Sequence, residues 1–156
     1  MIFLEKNIDY PLCFHPAKIK QGRNYINIVP SNGSDITTVF DIHYNLSSDN
    51  YLPNSSLVVR SSEIGELPKD FYKAGVQDFP FLFCVAKDNK IKMLQDISSV
   101  YRLHKKSSYM SLDSCSKINI LIECIDILTS FFKKDENMRN KLFKLREKYS
   151  NMLSHL

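Results

Sequence analysis

Three small constellations in this chain bring together side-chain types that can do chemistry. Asp41 and His43 stand two residues apart within Ile36 to Leu46. Alternation there predicts a strand, so both fall on one face and the carboxylate can orient or charge the imidazole for acid–base work. Cys13 and His15 flank Phe14 in the same way. On an extended segment, thiol and imidazole then share a side and can bind a metal ion or activate the thiol. Cys84 can meet His43 across a sheet as nucleophile and base, with Asp41 as third member.

Each constellation also has a plainer reading. Asp41 and His43 suit a solvated polar face, Pro11 and Pro16 frame Cys13 and His15 as a loop, and Cys84 suits a structural buried thiol. The plainer readings carry the expectation, which assigns no catalytic residue, no metal ligand and no cofactor. Motifs agree with this. The four glycines, Gly22, Gly33, Gly65 and Gly75, are dispersed, whereas a phosphate cradle needs them clustered so that backbone N–H groups can approach the anion. There is no Cys-x-x-Cys, His-Glu-x-x-His or Gly-x-Ser-x-Gly, and a zinc site would need paired ligand spacing.

Charge is the stronger signal. Residues 133–156 hold seven basic residues against three acidic ones and so account for the whole net charge of +4. The helical seam Met138, Leu142, Leu145, Tyr149, Met152 and Leu156 is bordered by Lys141, Lys144 and Lys148 on one side, and by Arg139, Arg146 and Phe143 on the other. Lys and Arg stems beside an apolar seam can simply cover it with their heads in water. Alternatively, Lys144 and Lys148 are like charges at i,i+4, a small local cost that an acidic partner would relieve. Lys87, Lys90 and Lys92, with Lys105 and Lys106, form a second basic cluster.

These residues need elements to hold them. The 156 residues, 44% apolar and 24% charged, suit one globular domain. Strands are expected at Asn24 to Val29, Ile36 to Leu46 and Leu57 to Val59, with a helical turn at Lys69 to Ala74 ended by Gly75. A hairpin is expected between Phe81–Ala86 and Ile91–Gln95, and Ile97 to Leu103 reads as an extension or an edge strand. A helix from about Ser116 to Phe132 has one narrow polar stripe and belongs in the core. Asp113, Ser114 or Ser116 can cap it, and Asp135 can cap the helix that follows. The expected fold is α+β: an antiparallel sheet of about four to six strands from residues 1–105, then a two-helix hairpin at 113–156 packed on it.

Four irregularly spaced cysteines read as free thiols of a reducing compartment, and the N-terminus shows no secretory leader. Ile118 to Phe132 is too short and too interrupted to span a membrane. A cytoplasmic protein is expected. Its function is expected to be non-enzymatic protein binding, as an accessory, inhibitor, immunity or adaptor protein. Arg139, Lys141, Phe143, Lys144, Arg146, Lys148 and Tyr149 would meet an acidic protein partner, with homodimerisation through the seam as a variant. The alternative is a nucleic-acid-binding regulator using the same cations on phosphates. Against it, the helix mixes in Asp135, Glu136 and Glu147, and the sheet shows no basic run interleaved with exposed aromatics of the RNA-recognition kind. A small enzyme using Asp41/His43 or Cys84 ranks below both.

Overall fold

The computed structural model describes residues 2–30, 36–44, 52–104, 109 and 111–156. The α+β class holds, but the single antiparallel sheet is replaced by two small mixed sheets. After a short helix α1 (Ile2–Lys6), β1 (Leu12–Phe14) lies at the centre of the first sheet. It pairs antiparallel with β5 (Val58–Val59) and parallel with β6 (Ile91–Met93), and β6 carries β4 (Ile36–Thr37) on its other edge. The second sheet has β2 (Ala17–Gln21) in the middle, antiparallel to β3 (Asn24–Val29) and parallel to β7 (Ser99–Leu103). Gly22, at φ 60°, supplies the positive φ that opens the tight β2–β3 turn.

Of the expected strand Ile36 to Leu46 only Ile36–Thr37 is a strand, residues 45–46 lie outside the described residues, and Val39–Tyr44, like the expected strand Phe81–Ala86, is helical. Residues Val39–Tyr44 form α2, because Thr38 and Asp41 cap its start reciprocally. The Asp41 amide donates to Thr38 Oγ1 at 3.1 Å, and the Thr38 amide donates to Asp41 Oδ2 at 3.0 Å. Residues Asp78–Ala86 form α3, so the expected hairpin arm at Phe81–Ala86 does not exist. Phe79, Leu82, Phe83, Cys84, Val85 and Ala86 are all buried. A helix buried all round carries no amphipathic period, and its apolar run reads as a central strand. Pro80 sits in the first turn, where its missing N–H leaves no helical bond unmade.

The C-terminal helical hairpin is present as α4 (Ser114–Phe131) and α5 (Glu136–Ser154). Asp113 Oδ1 accepts from the Ser116 amide at 2.9 Å, and Asp135 Oδ1 accepts from the Met138 amide at 3.0 Å. The main core joins β1, α2 and α3 to Ile118, Cys124, Ile125 and Leu128 of α4 and to Met138, Leu142, Leu145 and Tyr149 of α5. Further along the α5 seam, Met152 and Leu156 are exposed. Ala17, Ile19 and Val29, with Tyr101 and Leu103 against them, make a separate small core under the second sheet. The helical turn expected at 69–74 appears at Phe71–Lys73. The loop residues 31–35 and the lysines Lys105 and Lys106 lie outside the described residues.

Candidate functional site

The chemistry-bearing residues are dispersed or buried. Asp41 and His43 are two positions apart on a helix, so they point about 200° apart rather than to one side. Asp41 is exposed and engaged in the cap with Thr38, while His43 is buried. The His43 ring packs on Phe79 and Phe83, with centroids at 4.6 and 5.5 Å, and its Nδ1 lies 3.4 Å from the Tyr149 hydroxyl. Burial, then the nearby Lys148 ammonium, lowers its pKa to about 3, so it stays neutral at ordinary pH.

Cys84 sits in α3, where burial pushes its thiol up to about 12. Among the described residues no hydrogen bond joins it to His43, whose Nε2 has no partner. Cys13 is buried in β1 and its thiol is likewise raised by burial, while the Nδ1 of His15 is 2.8 Å from the main-chain oxygen of Asp96. Among the described residues, no cluster of three or more His, Cys, Asp or Glu side chains is placed to hold a metal ion.

The seven residues expected to meet a partner divide into two groups. Four serve the chain's own fold. Tyr149 is only 2% exposed, Lys141 pairs with Asp88, and Arg146 pairs with Asp126 of α4 at 2.7 Å. Lys148 donates to the carbonyls of His43 and Tyr44 at 2.9 and 2.6 Å. Arg139, Phe143 and Lys144 remain on the outside, with Phe143 60% exposed. The tail is therefore less basic in place than in sequence.

A stronger surface lies on the second sheet. Strand register sets two rows across its outer face. Ile28, Lys18 and Val100 form one; Tyr25, Lys20 and Arg102 form the other. Their inward neighbours Ala17, Ile19 and Val29 fill the small core, as alternation requires. Tyr25, Ile26, Ile28 and Val100 are exposed large apolar residues. The ammonium groups of Lys18 and Lys20 converge on the Tyr25 ring, at 5.7 and 5.5 Å from its centroid. An open depression beside them is lined by Lys18, Tyr25, Ile26, Asn27 and Ile28.

No residue of β2, β3 or β7 is acidic, and Arg23 in the turn adds a fourth cation to Lys18, Lys20 and Arg102. Among the described residues none of these four is in an ion pair. Against the expected absence of a basic run interleaved with exposed aromatics, the face carries one exposed aromatic, Tyr25, among these cations. The sequence signal was the run Ala17 to Val29, with cations at 18, 20 and 23 and no carboxylate. No known family model, curated protein or solved structure matches this chain.

Proposed function

We propose that this chain is a non-enzymatic binding protein that docks an acidic macromolecule on the outer face of the β3-β2-β7 sheet. The observation that carries this reading is the group Lys18, Lys20 and Arg102 around exposed Tyr25, with no ion pair to any of the three among the described residues. A face of one charge sign that keeps apolar side chains in water suits a partner of opposite sign with some apolar surface. The burial of His43, Cys13 and Cys84 supports binding rather than catalysis, since none of them meets solvent as a ready base or nucleophile. Accessory, inhibitor, immunity and adaptor roles all work by such contact alone, and four unpaired cysteines fit a reducing, cytoplasmic setting.

A second reading keeps the C-terminal helix as the working surface. Phe143, exposed between Arg139 and Lys144, is the observation that favours it, as an apolar anchor with cations on either side. An acidic protein, or a second copy of the chain, would dock there.

Retention on an immobilised sulfated polysaccharide, eluted by salt, separates the two. The sheet reading expects the Lys18→Glu/Lys20→Glu/Arg102→Glu variant to elute at much lower salt, and Arg139→Glu/Lys144→Glu to elute nearly as the parent does. The reverse pattern would transfer the function to α5. Unchanged retention in both variants would remove both surfaces.

A further inference from the structure

We infer that the acidic macromolecule taken by this face is single-stranded nucleic acid, with Tyr25 as the platform for a base and Lys18, Lys20 and Arg102 as contacts to phosphates. The inference rests on the sheet-face reading above and adds the partner's chemical class.

The two rows of the face explain the choice. In the row Tyr25, Lys20, Arg102, the Lys20 ammonium lies over the Tyr25 ring with Arg102 one strand further on, and Lys18 lies over the same ring from the next row, so a base stacking there would displace the two ammonium groups toward its own phosphates. A nucleotide unit presents that combination in one ligand: a flat apolar base joined by a short sugar to an anion. An acidic protein would have to supply the anion and the flat apolar group from separate side chains. Outward positions recur about every 6.6–6.8 Å along a strand and about 4.8 Å between strands, so the cations form a short track for a flexible backbone. Ile28 and Val100, on either side of Lys18, extend the face with apolar surface for neighbouring bases or sugars.

Single strands are favoured over duplex because stacking needs an unpaired base, and none of the sheet's three strands projects a helix toward a groove. Sequence preference should be weak. The Asn27 carboxamide oxygen, at the edge of the depression, already accepts from the Ile28 amide at 2.8 Å. That leaves stacking and phosphate contacts, which every base supplies.

The test is fluorescence anisotropy with the full chain and three labelled probes of equal length, about twelve units each: oligothymidylate, its abasic counterpart and an oligoglutamate. Oligothymidylate should bind about tenfold tighter than the abasic strand, as one stacked base provides. Tyr25→Ala should abolish that difference and Tyr25→Phe should keep it. Lys18→Glu/Lys20→Glu should weaken both strands, and the salt slope should be near −2, at about 0.7 per contacted phosphate. Circular dichroism confirms that the variants stay folded. Equal affinity for the two strands, or a Tyr25→Ala variant that keeps their difference, would overturn the base-stacking inference while leaving an anion-binding face. Tighter binding of oligoglutamate would reassign the face to an acidic protein. Strand binding that survives Lys18→Glu/Lys20→Glu would defeat the sheet-face reading itself.

Discussion

Lys148 Nζ donates to the main-chain oxygen of Tyr44 at 2.6 Å and to that of His43 at 2.9 Å, so a cation from α5 closes the C-terminal end of α2. The last carbonyls of a helix have no partner within it and carry partial negative charge, which a partly buried ammonium satisfies on both counts. Tyr44 returns the contact by donating its hydroxyl to the Lys141 carbonyl at 3.1 Å. Lys148→Met keeps the stem and removes the donor, and should cost about 1–2 kcal/mol in urea unfolding. Lys144→Met, at an exposed site, should stay within about 0.5 kcal/mol of the parent.

His43 makes stability depend on pH in one direction. In the unfolded chain it takes up a proton near its ordinary value of 6.5, while in the fold it resists protonation until about 3. Between those values the unfolded state binds the extra proton. The contribution is therefore fully present above about 6.5 and is lost as pH falls toward about 3, by about 1.4 kcal/mol per unit. Melting temperatures should fall across that window, and His43→Phe should flatten the part of the slope between pH 6.5 and 5, where few carboxylates titrate.

Thiol reactivity should follow burial. Cys13, Cys84 and Cys124 are buried, and their thiols are raised, to about 12 for Cys84 and about 11 for Cys124, whereas Cys115 is exposed. An aromatic disulfide reagent at neutral pH should titrate one thiol rapidly in the native protein and all four in denaturant. Rapid reaction of two or more would show a solvent-accessible thiol that this packing does not contain. Cys115→Ser should remove the fast phase.

The two sides of α5 should respond differently to truncation. Leu145 is fully buried in the main core and Phe143 is 60% exposed. Leu145→Ala should cost about 2–5 kcal/mol through lost transfer energy and a residual cavity. Phe143→Ala should leave the unfolding midpoint nearly unchanged. A large loss from Phe143→Ala would mean that this ring is covered in solution, by a second copy or by another part of the chain.

Helices α4 and α5 were legible because each carries a long periodic stripe and an aspartate cap, Asp113 and Asp135, just before it. Helices α2 and α3 were not. In α3 the apolar residues lie on every side, so periodicity carries no information. In α2 the deciding signal was the Thr38-x-x-Asp41 box, which lies outside the alternation of Phe40, Ile42 and Tyr44. The candidate site was hidden for a different reason. Summed along the chain, residues 1–132 are neutral, with 14 basic and 14 acidic residues. Pairing β7 beside β2 brings Arg102 to Lys20, and the body's carboxylates go elsewhere, Asp88 to Lys141 and Asp126 to Arg146. Folding thus pairs two of the tail's cations and gathers Lys18, Lys20 and Arg102 on one face, which no linear sum can show.

The most direct measurement is a titration of the isotope-labelled protein with oligothymidylate, followed by amide NMR shifts at low and moderate salt. Shifts confined to residues 17–29 and 99–103, shrinking as salt is raised, are the predicted result. Shifts concentrated on Arg139, Phe143 and Lys144, or none anywhere, would contradict the account.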